Sequence, residues 1–589
     1  MKELNKSYEV VVVGGGISGM CAAIASARHG AKTALVQNRP VLGGNASSEI
    51  RMHICGADKH AERENARETG ILEEILLLNK SRNDKDNYSW PIFDSCMWEK
   101  CRFQDNLDLY LNTNFDKVEM DNKKIVSVSA TNINNETKYL FTADYFIDAT
   151  GDGMLGALAG AEFMYGREDK SAFSEEDALD TADEYTMGNS IMFYAVDTGK
   201  PIKFVKPDWA YTYTEEDMNH RPHSEITSGY WWIELGGKTL HTIYDAEELR
   251  DELMKTVYGI WDHIKNGGDH GAENYKLEWV GALPGKRESR RLTGDYVLRE
   301  QDLLTANPFD DAVAYGGWSM DCHVIEGFLS SGDEPTKYIH FDEVYPIPYR
   351  SLYSKNIENL FLGGRAISAS HLAFASTRVM GTTAVCGQAV GTAAAIAVKK
   401  GISPREVGKN SIRELQQLLL KDDCYIPNFK NEDKDDLCLS AEVSATSEKT
   451  GFEVKNITNG IARTVRDNSN LYCSNGISND GETVTIDFKK AVDLKELHIK
   501  FDSNLSKEIE ISMSQWVCSR QDKYLPTTLV KDYSVSLIKD GKVIKTLDFK
   551  DNIYRFNKIK LNDNCDTVKI TCKSTYGDKD IRIFEVRAY

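Results

Sequence analysis

The glycine-rich segment near the start of the chain has the spacing of a dinucleotide phosphate site. It reads Gly14-Gly15-Gly16-Ile17-Ser18-Gly19. Gly14 would permit a tight turn, Gly16 would let a pyrophosphate approach the backbone, and Gly19 would allow a helix to pack closely on a strand. The first amides of that helix would then bind the phosphates. The segment therefore predicts that the chain binds a dinucleotide.

The stretches on either side of these glycines complete a βαβ unit. Residues 8–13 are rich in β-branched side chains and predict a first strand, and the small residues of 21–27 predict a helix. Residues 33–36 predict the second strand, which gives the unit its usual length of about 30 residues. Such units usually place an acid there for the ribose hydroxyls, but this strand ends at Gln37. A neutral amide can still hydrogen-bond the ribose.

Three further segments resemble the FAD-dependent oxidoreductases of the glutathione-reductase-like flavoprotein superfamily, and the resemblance covers roughly residues 8–420. The first segment, residues 39–53, contains a glycine pair and two serines; in such proteins it lies along the pyrophosphate and the flavin. The second, residues 148–153, reads Asp-Ala-Thr-Gly-Asp-Gly and resembles the motif that passes near the FAD. The third, residues 359–365, is a strand that ends in glycines.

The resemblance implies FAD as the cofactor. A helix beginning near Ser376 would point its N-terminus at the flavin pyrimidine ring, where a helix dipole stabilises the negative charge of reduced flavin. No second glycine fingerprint is seen downstream, so the electron acceptor stays open. The candidate FAD-binding residues are Gly14, Gly16, Gly19, Gln37, Arg39, Gly43, Gly44, Asn45, Ser47, Ser48, Val118, Ala149, Thr150, Gly151, Gly364, Arg365, Thr377 and Arg378.

Candidate catalytic residues come from segments that resemble the flavin-facing motifs of the family. Oxidation of an alcohol or amine carbon by a flavin needs a hydride acceptor and a base for the heteroatom proton, and histidine suits the second role. His371 is the first candidate because it lies between the third FAD segment and the flavin-facing helix, and His323 and His53 are expected on the same face. Arg290 could bind a carboxylate or stabilise an alkoxide, although a solvated charge cluster is the alternative.

Residues 161–344 are interpreted as a substrate-binding insertion, and residues 440–589 as a separate β domain. The insertion is rich in tryptophan and tyrosine, which suit sugar rings but equally suit a core or an interface. From residue 483 onwards, strand-length stretches alternate apolar and polar side chains, with Asp540-Gly541 as a hairpin turn. Residues 456–460, 482–488 and 583–587 resemble discoidin or galactose-binding-like jelly rolls. Such modules often contact glycans, but a structural or oligomerisation role is equally open.

Composition and charge narrow the class of partner. The net charge of −19 argues against nucleic acid and anionic membranes as partners, which leaves small molecules. The apolar stretch 366–398 is interrupted by polar residues and fails as a membrane span. The first residues lack a signal-peptide core, and twelve cysteines are scattered without a repeat, so we expect a cytoplasmic protein with reduced thiols. No cluster with metal-ligand spacing is recognised, so no metal is predicted.

The predicted fold class is α/β, with a Rossmann-type FAD-binding domain formed by residues 1–160 and 345–425. An α+β substrate domain is inserted at 161–344, and an all-β jelly-roll sandwich follows at 440–589. The predicted function is hydride transfer to flavin N5 from a small polar substrate, with a carbohydrate or sugar acid as the leading class. Redox-neutral, flavin-assisted cleavage of a glycoside or sugar bond is one alternative. A carbohydrate-binding protein with structural FAD is another, and a homo-oligomer is left open.

Overall fold

The computed structural model describes residues 1–60, 62–83, 89–227, 230–268 and 270–589. The chain forms two compact units. Unit 1 consists of Met1–Gly56, Ser89–Ile412 and Ile511–Ser519, and unit 2 consists of Ala57–Tyr88, Arg413–Glu510 and Arg520–Tyr589. The three-domain boundaries drawn from the sequence stay a prediction. In the structure, the segment that begins at Ala57 groups with the C-terminal unit, which the sequence did not indicate.

Short strands dominate unit 1, whereas unit 2 contains two strands of 20 residues each. The strands of unit 1 are β1 (Lys2–Ser7), β2 (Val10–Val13), β3 (Thr33–Val36), β4 (Leu107–Tyr110), β5 (Thr113–Asp121), β6 (Lys124–Asn132), β7 (Thr137–Thr142), β8 (Tyr145–Asp148), β9 (Phe163–Met164), β10 (Asn189–Ser190), β11 (Phe193–Asp197), β12 (Glu234–Leu235), β13 (Tyr275–Val280), β14 (Gly285–Lys286), β15 (Arg291–Leu292), β16 (Ala312–Gly316), β17 (Met320–His323), β18 (Thr336–Ile339), β19 (Tyr345–Pro348) and β20 (Leu360–Leu362). Those of unit 2 are β21 (Glu442–Ala445), β22 (Tyr472–Cys473), β23 (Glu482–Phe501), β24 (Val530–Lys539), β25 (Lys542–Phe549), β26 (Phe556–Thr575) and β27 (Arg582–Ala588).

The helices range from four to 21 residues. They are α1 (Ile17–Arg28), α2 (Ile71–Arg82), α3 (Trp90–Arg102), α4 (Met154–Leu158), α5 (Lys170–Phe173), α6 (Ala246–Asn266), α7 (Glu300–Leu304), α8 (His371–Thr377), α9 (Met380–Lys400), α10 (Pro404–Asn410), α11 (Ile412–Lys421) and α12 (Gln515–Ser519).

The centre of unit 1 is a five-stranded parallel sheet in the order β20-β8-β2-β3-β4. Every residue of β2 is buried, as expected for a strand covered on both faces. Helix α1 follows β2 and packs against α9, where a side chain at Gly387 or Gly391 would collide with the backbone of α1. Small residues therefore bring the two helices together beside the sheet.

Helix α9 is long and apolar enough to cross a membrane by length and composition alone. However, 94% of its apolar window is buried within the structure. Such burial is what a core helix requires, because its apolar residues face neighbouring helices and the sheet rather than lipid. The structure thus accounts for the composition of this helix by packing inside unit 1.

Helix α6 and the small sheet β11-β13 organise a second core within unit 1. Leu249, Leu253, Val257, Ile260 and Ile264 of α6 recur every three or four positions, so they form one apolar face. This face packs with Phe193, Trp232 and Phe328 in a single hydrophobic cluster. Much of the aromatic content of residues 161–344 therefore serves packing, which was one of the two interpretations left open by the sequence.

Unit 2 contains the antiparallel β-sandwich predicted for the C-terminal region. Its strands follow the order β22-β27-β23-β26-β24-β25, with β21 paired to β23. The turn between β24 and β25 has positive φ at Asp540 (49°) and Gly541 (74°), which confirms the predicted hairpin. Strands β23 and β26 each continue through 20 residues, and their pairing with neighbouring strands contains register shifts.

Candidate active site

The glycine turn between β2 and α1 separates packing positions from a ligand-facing one. A Cβ on Gly14, whose φ is +105°, would lie 2.1 Å from the carbonyl oxygen of Ala149. A Cβ on Gly19 would lie 1.9 Å from the carbonyl oxygen of Gly14. A Cβ on Gly16 would meet no described atom within 4 Å. Gly14 and Gly19 are therefore required by the protein's own packing, whereas Gly16 borders space that a phosphate could enter.

The N-terminus of α1 is suited to an anion. Within the described residues, no side chain caps this end of the helix, and its first turn carries no acid. The amides and the helix dipole at this end therefore favour negative charge. The backbone amide of Gly364 donates to the Ser18 hydroxyl at 2.8 Å, which places the third FAD-like segment against α1. Gly364 has φ of +64°, and a Cβ there would also meet no described atom within 4 Å.

Gln37 contacts the glycine turn directly. Its Oε1 accepts from the Gly15 amide at 2.8 Å, and its Nε2 donates to the Val41 carbonyl at 3.1 Å. The buried amide side chain thus braces the turn, and its contact with a ribose stays a prediction. Thr113, at the start of β5, donates its amide to the Gln37 carbonyl at 2.9 Å. Val118 lies farther along β5, opposite Val128 of β6, and its cofactor role likewise stays a prediction.

Residues 39–49 lie beside the glycine turn. The Gly43 amide donates to the Gly15 carbonyl at 2.8 Å, and a Cβ on Gly44 would come within 3.2 Å of the Gly16 Cα. Arg39 forms a bidentate ion pair with Glu49 at 3.0 and 2.8 Å. The segment therefore lines the space next to Gly16, and its contact with the pyrophosphate stays a prediction.

The polar residues after Gly44 make local and long-range hydrogen bonds. Asn45 Nδ2 donates to the Lys286 carbonyl at 3.1 Å, and the Ser47 hydroxyl donates to the Gly44 carbonyl at 2.7 Å. The Ser48 amide donates to Asp94 Oδ1 at 3.1 Å. Through Asn45, this segment is joined to the arginine-rich segment of residues 283–291.

The motif after β8 is held by a buried carboxylate. Asp148 accepts from the amide and the hydroxyl of Thr150 at 3.0 and 2.7 Å, and from the Gly156 amide at 2.8 Å. Burial raises the pKa of Asp148 above its ordinary value. Ala149 donates its amide to the Val13 carbonyl at 2.8 Å, so the motif begins at the carboxyl end of the parallel sheet. Ligands of such sheets bind at that end.

Asp152 joins two of the FAD-like segments through opposite charges. Its carboxylate pairs with Arg365 at 2.7 Å and with Lys286 at 2.6 Å. Burial alone would raise the pKa of Asp152, but the two cations outweigh it and hold the pKa below its ordinary value. Gly151 has φ of +82°, and a Cβ there would lie 2.8 Å from the Arg365 guanidinium. Arg365 and Gly151, both cofactor candidates, are thus brought together.

The helix that follows β20 differs from the sequence prediction. It begins at His371 rather than near Ser376, because the Ser370 hydroxyl accepts from the Ala373 amide at 3.2 Å and caps a short helix there. This helix, α8, ends at Thr377, and α9 begins at Met380. Thr377 and Arg378, predicted in the first turn of one helix, therefore lie at the junction of two.

His371 forms a buried pair with Glu288. Its Nδ1 lies 2.9 Å from Glu288 Oε1, and the histidine is only 7% exposed while the glutamate is fully buried. Glu288 also accepts from Arg291 at 2.5 Å and from the Met187 amide at 2.9 Å. Burial would raise the pKa of Glu288, but His371 and Arg291 outweigh it and lower the pKa. Glu288 is therefore an ionised carboxylate that accepts a hydrogen bond from the Nδ1–H of His371. This arrangement leaves Nε2 of His371 for proton transfer.

His323 lies between two carboxylates. Its Nδ1 is 2.6 Å from Glu234 Oε2, and its Nε2 is 3.2 Å from Asp321 Oδ2. Arg378 also pairs with Asp321 at 2.9 Å, and the pKa of Asp321 is lowered because His323 and Arg378 outweigh its burial. Because a carboxylate faces each ring nitrogen of His323, neither nitrogen is left for a substrate proton. The geometry therefore favours His371 over His323 as a base.

The remaining two catalytic candidates contact different groups. Arg290 donates to the Asp152 carbonyl at 3.2 Å and to the Tyr244 hydroxyl at 3.0 Å, and its guanidinium lies over the Phe163 ring. The Nδ1 of His53 lies 3.3 Å from the Ser512 hydroxyl oxygen. Arg290 is thus hydrogen-bonded to the backbone of Asp152. His53 lies against Ser512 instead. Their catalytic roles stay predictions.

Several groups around the site were not identified from the sequence as site residues. Glu288 and Glu234 lie 83 and 89 positions from the histidines that they contact, so no local pattern indicates either pairing. Thr377 Oγ1 and Trp318 Nε1 are buried without a hydrogen-bond partner in the described part of the chain. Buried unpaired polar atoms are rare in proteins and indicate a missing ligand or water. With the open space at Gly16 and Gly364, they fit a bound FAD.

A second group missed by sequence reasoning consists of Glu215, His223, His263 and His270, whose ligand atoms all lie within 4.8 Å of one another. These residues are separated by 8, 40 and 7 positions and so form no local ligand motif. They lie in unit 1, on helix α6 and the segments before and after it. The sequence predicted no metal, and that expectation rested on local spacing alone.

Comparison with known proteins covers both ends of the chain. A family model described as FAD dependent oxidoreductase matches residues 9–419. A fucose binding module from Streptococcus pneumoniae is 13% identical, covering 26% of this chain and 97% of that chain at a TM-score of 0.21. The family 32 CBM from C. perfringens NanJ in complex with galactose is 14% identical, covering 26% and 96% at a TM-score of 0.19. These two structural similarities are too low to indicate what this chain binds. The family match spans well over half of the sequence and contains the glycine turn, Asp152 and His371, and the chain therefore belongs to the FAD-dependent oxidoreductase family.

Proposed function

We propose that this enzyme oxidises a hydroxyl-bearing or related carbon of a small polar substrate, with a carbohydrate or sugar acid as the leading class. The observation that carries the proposal is the pair of His371 Nδ1 and Glu288 Oε1 at 2.9 Å, on the helix that directly follows the third FAD segment. The parallel sheet with a glycine turn between β2 and α1 supports a Rossmann-type FAD domain. Bound FAD would supply a hydride acceptor at N5.

In this proposal His371 moves the substrate proton. Its Nε2 accepts the proton of the substrate hydroxyl while the Nδ1 proton remains hydrogen-bonded to Glu288. The carboxylate of Glu288 then stabilises the imidazolium, since opposite charges interact strongly where water is excluded. Arg291 and the Met187 amide hold Glu288 in place, so the base has a fixed orientation.

A cluster of aromatic side chains beside Arg290 favours a polar, oxygen-rich substrate. Tyr244 is 75% exposed, and its ring lies 4.5 Å from that of His241, which stacks on Tyr165 at 4.8 Å. Arg290 donates to the Tyr244 hydroxyl. Flat faces beside a guanidinium suit a sugar ring and, at the guanidinium, the carboxylate of a sugar acid. This arrangement supports the substrate class without selecting one sugar.

The test is an anaerobic visible spectrum of the purified holoenzyme with a panel of sugars, sugar acids and glycosides. Bleaching near ~450 nm by one of them would support the proposal and give the substrate class. Product analysis then separates the alternatives: bond cleavage with no net change in oxidation state would overturn simple oxidation in favour of redox-neutral chemistry. A flavin that no candidate reduces would favour the binding-protein alternative.

The role of His371 has its own variant. His371→Ala should keep FAD but slow flavin reduction by about 10²-fold or more, because the substrate proton would lose its acceptor. His340→Ala is the matched control, since this exposed histidine contacts Ser319 and belongs to neither carboxylate pair. Flavin reduction by His371→Ala at the rate of the control would refute the assignment of the base.

The partner and location also remain proposals. We propose a small molecule rather than nucleic acid as the partner, in keeping with the net charge of −19. We propose a cytoplasmic location, in keeping with twelve cysteines that are scattered without a repeat and are expected to be reduced. Fractionation of the native host, with flavin fluorescence and immunodetection of the chain, tests the location directly.

A further inference from the structure

Four potential metal ligands converge at the end of helix α6. His263 lies in the last turn of α6 and is buried. The chain then turns through Gly267 and Gly268, the latter with φ of +127°, and returns His270 to the same place. Glu215 and His223 come from the segment before α6. Three separate stretches of chain therefore supply one compact group of ligand atoms.

The distances from the Glu215 carboxylate to the three histidines are close to those of a tetrahedral metal site. Oε1 of Glu215 lies 3.2 Å from His263 Nε2, 3.3 Å from His270 Nε2 and 3.7 Å from His223 Nε2. The three imidazole centroids are 4.9 to 5.4 Å apart. Zinc bonds of about 2.0–2.1 Å place tetrahedral ligand atoms about 3.3 Å from one another. A small movement of His223 Nε2 toward Glu215 would bring the third distance to the same value.

The hydrogen bond at the other nitrogen of His223 sets its tautomer. Nδ1 of His223 lies 2.6 Å from the Arg221 carbonyl oxygen, which can only accept, so Nδ1 carries the proton. In the neutral ring Nε2 then presents a lone pair to the group. Histidine ligands of metals commonly donate their second nitrogen to a carbonyl in this way. A lone pair facing a carboxylate oxygen is repulsive, and either a metal ion between the two atoms or a second proton on the ring removes that repulsion.

We propose that Glu215, His223, His263 and His270 bind a zinc ion. Imidazole nitrogen suits Zn²⁺, whereas Ca²⁺ and Mg²⁺ prefer oxygen ligands. Three neutral imidazoles and one carboxylate leave a net charge of +1 on the site, and the C-terminal end of α6 favours that charge. All four tetrahedral positions are filled by protein, so the zinc is structural and offers no place for a substrate.

The zinc fastens the segment before α6 to the second core of unit 1. The same segment continues to Trp231, whose carbonyl accepts from Arg287 at 2.6 Å, and to Trp232, which is buried in the aromatic cluster. Arg287 in turn lies 3.3 Å from Glu234, the partner of His323. The zinc ion therefore supports the chain segment that positions Arg287 and Glu234. The zinc ligands are distant in sequence from His371.

The experiment measures metal in the untagged full-length holoenzyme by inductively coupled plasma mass spectrometry, after growth with zinc. We expect about one zinc per chain in the wild type. His223→Gln and Glu215→Gln should lose most of it while keeping their flavin absorbance, which shows that they fold. His220→Gln is the matched control: His220 lies three residues from His223 but pairs with Glu334 at 2.7 Å, and it should keep the zinc.

A second readout links the ion to stability. A chelator such as EDTA should lower the thermal midpoint of the wild type and of the His220→Gln control, and added zinc should restore it, since a ligand bound only to the folded state stabilises it. Neither ligand variant should respond. A wild type that contains no zinc and whose thermal midpoint added zinc does not change would overturn the proposal. Retention of one zinc by both ligand variants would overturn it as well.

Discussion

Replacing Gly16 by alanine should weaken FAD binding while leaving the FAD-free protein folded. The backbone at Gly16 has φ of −65° and ψ of 173°, which any residue adopts, and a Cβ would meet no described atom within 4 Å. The methyl group would instead occupy the space where the pyrophosphate approaches the backbone. A loss of about 1.4 kcal/mol or more of binding free energy, which is at least tenfold in Kd, is the expected result.

The stability of the FAD-free variant follows from two opposing effects. Alanine is a poorer N-cap than glycine by up to about 1 kcal/mol, whereas reduced freedom in the unfolded chain stabilises by about 0.4–1 kcal/mol. The net change should therefore stay within about 1 kcal/mol. Gly14→Ala is the contrasting variant, because its φ of +105° and its 2.1 Å approach to the Ala149 carbonyl oxygen would force the backbone to move. Strain and overpacking there should together cost at least about 2 kcal/mol.

The assay uses the FAD-free forms of both variants and of the wild type. Thermal unfolding followed by tryptophan fluorescence compares their stability, and quenching of added FAD fluorescence gives the binding constants. We expect the Gly16→Ala variant to unfold like the wild type and to bind FAD poorly. If it purified with a full complement of flavin, the turn would not be the phosphate site. If it were as unstable as Gly14→Ala, the glycine would serve packing instead.

Two further predictions concern unit 2. Burial would raise the pKa of Glu585, but Arg587 and Lys500 outweigh it and lower the pKa to about 2. The ionised Glu585 carboxylate therefore stabilises the folded protein by about 3 kcal/mol above pH ~4.5, and this stabilisation is lost as the pH falls through about 2. Thermal midpoints between pH 2 and 7 should show this slope, and Glu585→Gln should flatten it; an equal slope in both proteins would contradict the assignment. Deleting residues 440–589 should cause aggregation, because the buried Arg67 and Glu73 belong to the same compact unit and would lose their hydrogen bonds to Ser503. A soluble, flavin-binding truncation by gel filtration would show that Ala57–Tyr88 folds without residues 440–589.

Local sequence signals predicted the nucleotide-binding elements well. The strands of the βαβ unit appear as β2 and β3, and its helix as α1, because hydrophobic periodicity and the glycine turn specify these elements within one short stretch. Strand β1 was missed, since its residues are polar and mostly exposed and its pairing with β7 is a long-range contact. Local pattern therefore predicts an element where burial is regular, and fails where a distant partner supplies the stability.

Helix boundaries and the zinc-ligand group show the same limit. The start of α8 depends on capping by Ser370, but the small residues that follow it look equally helical in the sequence. The four ligands Glu215, His223, His263 and His270 have no recognisable spacing, because α6 and two turns bring them together only in the folded chain. Residue types alone could identify candidate ligands, but only the tertiary structure shows which ones meet.

Two histidines show why the sequence could identify candidate catalytic residues but could not decide which of them is the base. His371 and His323 both lie in segments expected to face the flavin, so residue type and position gave each the same role. Among the described residues, the imidazole of His371 contacts one carboxylate, that of Glu288, which lies 83 positions away. The imidazole of His323 contacts Glu234, 89 positions away, and also Asp321. One carboxylate orients an imidazole and leaves a nitrogen to take a proton, while two carboxylates engage both nitrogens. The number of acidic partners therefore decides which histidine can act as the base, and that number is a property of the folded chain.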